Sequence, residues 1–123
     1  IKSTDPWVVE LVNHMIDSLQ KAPVSVERNR VLKLSRILVE QPHITHADLA
    51  KIQCPTLVIG GDHDVILPHH TLEIASAIKR SYVWILPNSG HSTPVFYKNI
   101  FNSTVLDFLK TPYRKIEKQA KFY

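Results

Sequence analysis

The 123 residues are 44% hydrophobic and 21% charged, the balance of an ordinary folded domain and not of a disordered segment. A single cysteine, Cys54, excludes an internal disulfide and any Cys-rich zinc site. No apolar run approaches the roughly 18 residues that a membrane span requires. The formal net charge is +4, but from Pro112 onward Arg114, Lys115, Lys118 and Lys121 face Glu117 alone, so three of the four excess charges sit in the tail. The body is nearly neutral and offers no basic face of the kind nucleic acid needs.

Glycine is scarce. Gly60, Gly61 and Gly90 are the whole supply, so no GxGxxG, P-loop or GxSxG motif can be written anywhere in the chain. The sequence opens at Ile1 without Met and enters a helical pattern within a few residues. It shows no cationic segment followed by an apolar core, which leans the expected compartment towards the cytoplasm, unless residues upstream of Ile1 carry a signal.

The first predicted helix has a clear start. Asp5 can cap it, and Pro6 suits the first helical position, where its missing N–H costs nothing. Val8, Leu11, Val12, Met15, Ile16 and Leu19 then form one apolar stripe, ended by Pro23. A second helix is predicted from about Val26 to Glu40, with Val31, Leu34 and Leu38 facing one way, and Gln41-Pro42 stops it. His43 to Lys51 reads as a connector containing one short helical turn.

At Pro55 the pattern changes. Thr56-Leu57-Val58-Ile59 is a largely apolar run closed by Gly60-Gly61, the signature of a strand buried on both faces. A polar loop follows, then a helix over Thr71 to Lys79 with Ile74, Ala75 and Ile78 inward. Tyr82 to Leu86 is a second such strand, closed by Pro87-Asn88-Ser89-Gly90. From Pro94 to Leu109, the positions Phe96, Ile100, Val105, Phe108 and Leu109 suit a last helix. This order is a parallel βαβ unit, and the fold class is α/β. Two such strands alone leave open edges, so the sheet is expected to be completed by further chain or by a second copy.

Chemistry gathers where the two strands end. The first loop holds Asp62, His63 and Asp64, and the second holds Ser89, Gly90, His91 and Ser92. The carboxyl edge of a parallel sheet is where ligands and reactive groups collect. A carboxylate that accepts from an imidazole Nδ1–H fixes the tautomer and leaves Nε2 as a general base. The bland alternatives are a loop histidine with no role and a turn-forming Asp64, with Asp62 shaping the loop through local hydrogen bonds.

The run Ile52 to Pro68, with Gly61-Asp62-His63-Asp64 at its centre, resembles the acid-bearing strand and loop of the α/β-hydrolase family. Leu86-Pro87-Asn88-Ser89-Gly90-His91-Ser92 resembles that family's catalytic-histidine loop, in the expected order. The resemblance implies Asp64 as the triad acid and His91 as the triad base, over roughly Ala47 to Leu109. It divides the chain into a lid-like helical segment (1–46), the C-terminal part of the hydrolase core (47–111) and a basic tail (112–123). The family's nucleophile elbow is absent from these residues.

The expectation is therefore the C-terminal part of a serine-nucleophile hydrolase, inactive alone, that acts on a small ester-like or other acyl substrate when intact. No cofactor and no metal are implied, and neither nucleic acid nor membrane is an expected partner. Relatives of this kind also run acyl transfer, dehalogenation, perhydrolysis and C–C hydrolysis, so the resemblance does not choose the reaction. The competing reading is a non-catalytic module that dimerises or docks through its open sheet edges. Cys54, at the entry of a buried strand, is expected to be a buried structural thiol. His69-His70 near the acid loop is expected to be exposed polar surface, not a metal site, and Phe96 and Tyr97 are expected to border any pocket at His91.

Overall fold

The computed structural model describes residues 4–114. Residues 115–123, which carry most of the basic tail, lie outside the described residues. Eight elements follow one another: α1 (Pro6–Lys21), α2 (Val26–Glu40), α3 (His46–Leu49), β1 (Thr56–Gly61), α4 (Pro68–Ala77), β2 (Ser81–Leu86), α5 (Thr93–Phe96) and α6 (Lys98–Lys110). Among these residues no helix is long and apolar enough to cross a membrane.

Helices α1 and α2 pack on each other as an antiparallel hairpin whose ends are set by local chemistry. The Asp5 carboxylate accepts from Trp7 N at the start of α1, with Pro6 in its first turn. The Ser25 hydroxyl does the same for Arg28 N at the start of α2. Arg28 then reaches back, donating from Nε to Leu19 O (2.7 Å) and from Nη2 to Gln20 O (2.9 Å). A guanidinium thus caps two carbonyls of the last turn of α1, at the helix pole where positive charge is favoured.

The packed face is narrower than the sequence suggested. Val8, Val12, Ile16 and Leu19 of α1 are half-buried, as are Val31 and Leu32 of α2, and Ser35 is buried. Leu34 and Leu38, expected inward with Val31, are 56% and 71% exposed. The small Ser35 lets the helices approach closely, and its hydroxyl is satisfied by the Val31 carbonyl one turn back (2.9 Å). The apolar stripes of both helices are therefore only partly used within the hairpin. Asp5 N donates to Val65 O (2.8 Å), and a single bridge pairs Thr4 with Ile66, which ties the hairpin to the loop after β1.

Strands β1 and β2 pair in parallel, Thr56 opposite Ser81 through Gly61 opposite Leu86. Among the described residues the sheet has only these two strands. Both read as apolar on each face, yet they are mostly half-buried and Val83 is exposed, because no further strand flanks either of them. Helix α4 covers one face, with Ala75 and Ile78 buried as predicted. On the other face Tyr82 meets Phe108 of α6 edge to face, with ring centroids 6.0 Å apart.

The last predicted helix is two. Tyr97, at φ −116° and ψ 32°, separates α5 from α6 and donates from its hydroxyl to Asn88 O (2.7 Å). The break resets the helical phase. Phe101, Thr104, Val105 and Phe108 become the half-buried positions, while Phe96, Ile100 and Leu109 are exposed. Cys54 is likewise exposed and not buried, since it lies ahead of β1 and outside its ladder.

The two glycines that close β1 are there for close approach. A Cβ on Gly60 would sit 2.8 Å from Thr71 Oγ1 of α4, and one on Gly61 would sit 2.0 Å from the carbonyl oxygen of Ser89. Gly90 is different: its nearest neighbour would be His63 O at 3.6 Å, an ordinary contact. Gly61→Ala is expected to destabilise the fold by about 3 kcal/mol, because the backbone it meets cannot rotate away. Gly90→Ala is expected to stay within about 1 kcal/mol of the parent. Urea denaturation of the two variants side by side measures the contrast.

Candidate active site

The loops after β1 and β2 lie side by side, joined first by their backbones. Asp62 N donates to Leu86 O (3.0 Å), and His63 N donates to Ser89 O (3.0 Å). Asn88 takes the left-handed conformation, φ 53°, which turns the second loop. That role falls to Asn, a residue that tolerates it, and not to Gly90.

Asp64 and His91 are brought together. His91 Nδ1 donates to Asp64 Oδ1 at 2.9 Å across 27 residues of sequence, and the same oxygen accepts from Ile66 N (3.0 Å). The Asp64 side chain is 12% exposed, whereas that of His91 is 67% exposed. A sheltered carboxylate thus holds one ring nitrogen of an open imidazole. With Nδ1 engaged, Nε2 is the nitrogen left for exchanging protons with a bound molecule.

Asp62 is engaged differently. Its Oδ1 accepts from Ser89 N (2.9 Å) and from the neighbouring His63 Nδ1 (2.8 Å). These contacts, the Ser89 N–H foremost, hold the Asp62 carboxyl well below the usual carboxylate range. Sequence reasoning assigned Asp62 a local loop role and missed its reach into the histidine loop. The signal available was only its position two residues before Asp64.

Ser89 itself is 1% exposed. Its hydroxyl pairs with that of Thr93, which in turn donates to Gly90 O (2.8 Å), so the Ser89 O–H is the donor of the pair. Thr93 also escaped the sequence reading, as a small polar residue just ahead of Pro94. An open cleft of about 530 Å³ runs from Asn88 to Tyr97, with His91, Phe96 and Tyr97 in its lining. Among the described residues no cluster of His, Cys, Asp and Glu is arranged to hold a metal. His70 lies elsewhere, donating with His46 to the Glu73 carboxylate at 3.3 and 2.8 Å.

No family model matches the chain. Individual proteins do. Over 77 residues it is 34% identical to a putative carbamate hydrolase, RutD, of Pseudomonas savastanoi pv. phaseolicola, a match covering 62% of this chain and 30% of that protein. Over 63 residues it is 32% identical to the mouse serine hydrolase BPHL, covering 50% of this chain and 22% of the relative. The match thus spans less than a third of either relative's length.

Among solved structures, a serine hydrolase involved in carbazole degradation, CarC, superposes with a TM-score of 0.58 at 20% identity over 80% of this chain and 45% of that one. The carboxylesterase CesB of Bacillus subtilis gives 0.58 at 16% identity, over 88% and 47%. The chain carries part of the α/β-hydrolase fold. In that α/β-hydrolase frame, β1, α4 and β2 with their two loops are a strand–helix–strand unit of a parallel sheet.

Because the folded-state value of Asp62 is depressed, its contribution to stability is complete above its ordinary 3.8 and is lost as the pH falls below it. Acidification is therefore expected to lower the urea midpoint, through loss of the clamp on Ser89. Asp62→Asn should be less stable at neutral pH and should show a shallower fall on acidification. Urea titrations at a series of pH values would measure both.

Proposed function

We propose that Asp64 and His91 are the acid and base of a serine-nucleophile triad in an α/β-hydrolase that cleaves small acyl substrates, with the nucleophile carried on residues outside these 123. The observation that carries the reading is the 2.9 Å bond between His91 Nδ1 and Asp64 Oδ1 on adjacent strand-end loops. It is supported by similarity to proteins named as a carbamate hydrolase, a serine hydrolase and a dienedioate hydrolase.

The proton accounting follows from the geometry. A serine hydroxyl attacks the substrate carbonyl while His91 Nε2 takes its proton, and the imidazolium so formed is stabilised by Asp64. His91 then gives the proton to the leaving group, and a water molecule repeats the sequence on the acyl-enzyme. Phe96, 80% exposed beside His91, supplies an apolar wall on which the acyl or leaving group can rest. These steps draw on no metal or organic cofactor. The segment 1–46 is the lid of this enzyme in the same proposal, and 47–111 the C-terminal part of its core.

A second reading rests on the unflanked edges of the β1–β2 pair: a non-catalytic role in which the sheet is completed by a second copy or by another chain. The two readings part on activity. The 123 residues alone are expected to hydrolyse p-nitrophenyl acetate no faster than buffer. A protein that joins them to a nucleophile-bearing strand is expected to turn the ester over, and to lose about a thousandfold in kcat on His91→Ala. Turnover by the isolated 123 residues that vanishes in His91→Ala would place the nucleophile among them and end this reading. Unchanged turnover of the longer protein carrying His91→Ala would leave the assembly role.

A further inference from the structure

We infer that Asp62 is a positioning residue for His91: by holding the Ser89 amide it sets where the histidine loop presents its imidazole to Asp64. The inference rests on the acid–base reading of Asp64 and His91 and adds to it a second carboxylate with a separate task.

His91 sits two residues beyond Ser89, so the placement of Ser89 governs the reach of the imidazole. Ser89 is gripped from the acid loop at both its backbone polar groups. Its N–H donates to Asp62 Oδ1 (2.9 Å) and its carbonyl accepts from His63 N (3.0 Å). Gly61 presses against the same carbonyl with no room for a side chain. On the far side the Ser89 hydroxyl donates to Thr93, which donates to Gly90 O. The turn is thus braced between two elements, with a side-chain carboxylate supplying one of the grips.

Asp62 is suited to the task by a short side chain that brings an acceptor oxygen to the Ser89 amide. A carboxylate can accept several N–H bonds at once, and Asp62 takes those of Ser89 and His63 Nδ1 together. Asn88, held in the left-handed conformation, turns the chain into Ser89, so the hold on Ser89 fixes where that turn ends. Removing the Asp62 carboxylate leaves the Ser89 amide without its acceptor and frees the turn to relax. An imidazole that moves about 1 Å further from Asp64 than its 2.9 Å bond loses its hold on the carboxylate.

The test reads the tautomer of neutral His91 from the ring 15N shifts of histidine-labelled protein, with circular dichroism to monitor the fold. The parent is expected to hold the proton on Nδ1, where Asp64 accepts it, and Asp64→Ala is expected to lose that preference. Asp62→Ala, which leaves Asp64 in place, is expected to lose it as well, with the Nδ1–H form passing from dominant to minor. Asp62→Asn keeps an oxygen for the Ser89 amide and is expected to restore it. A merely structural role would lower the unfolding temperature in both Asp62 variants without moving the tautomer.

If Asp62→Ala keeps the parental tautomer while Asp64→Ala does not, the positioning role is overturned and the acid–base pairing stands. If Asp64→Ala also keeps it, the pairing itself fails, and the positioning role with it. Should Asp62→Ala lose the fold, Asp62→Ser carries the same comparison with the same two outcomes.

Discussion

Everything at the candidate site depends on how the end of β1 meets the backbone of Ser89. The Ser89 carbonyl approaches the Cα of Gly61 so closely that a Cβ would lie 2.0 Å from it. That approach lets His63 N donate to the carbonyl and brings the Asp62 carboxylate within reach of the Ser89 amide. The parallel register of β1 and β2 carries the two strand ends to the same edge, Gly61 opposite Leu86, and the loop contacts begin one residue further on. The Asp64–His91 bond is the outermost link of this series, and it forms because the inner links have already aligned the loops.

Much of this was legible in the sequence, because the determinants are local. Asp5-Pro6 at the start of α1, the apolar runs of β1 and β2, and the inward Ala75 of α4 with Ile78 just past its end all follow from short patterns, and the structure agrees with them. That an acid and a histidine of the two loops could meet followed from their place after parallel strands, and the choice of Asp64 and His91 came from the resemblance to the hydrolase loops. Failures came where a residue's role depends on a partner distant in sequence. Leu34 and Leu38 fit the apolar period, but a small Ser35 chose the packed face instead. Tyr97 broke the last helix because its hydroxyl has a carbonyl to bind at Asn88. Arg28 carries no local signal of its role, and only the fold of the hairpin shows it capping α1. Asp62 read as a local turn residue, since a bond spanning 27 residues leaves no mark in the local pattern.

The distribution of apolar surface points the same way as the site. Parallel strands rich in Val, Ile and Leu gain their stability when both faces and both edges are covered. Here Val83 is exposed, and Leu34, Leu38, Trp7 and Leu11 of the helical hairpin show their side chains to solvent. Isolated exposed apolar residues are ordinary, but rows of them along two packed helices are surface suited to a neighbour. In the proposed enzyme that neighbour is the nucleophile-bearing part of the sheet together with the substrate. An acid–histidine pair at one strand edge and uncovered apolar faces around it are then two consequences of one architecture.

The acid loop carries two carboxylates two residues apart, each bonded to an imidazole Nδ1, at 2.8 Å for Asp62 with His63 and 2.9 Å for Asp64 with His91. Distance alone does not tell them apart; their surroundings do. Asp62 spends its acceptor capacity on the Ser89 backbone amide, and its histidine is the adjacent residue, so that pair adds no link between loops. Asp64 spends its own on a side chain from the other strand end, in a sheltered position where a charge–dipole contact is less screened by water. A carboxylate committed to an amide of the other loop cannot follow an imidazole through a change of charge without releasing the turn it holds. Asp64 has one amide, that of Ile66, on its own loop, and can strengthen its bond to His91 as the ring becomes cationic. The division between a carboxylate that fixes a backbone and one that answers a proton is thereby built into a loop of three residues.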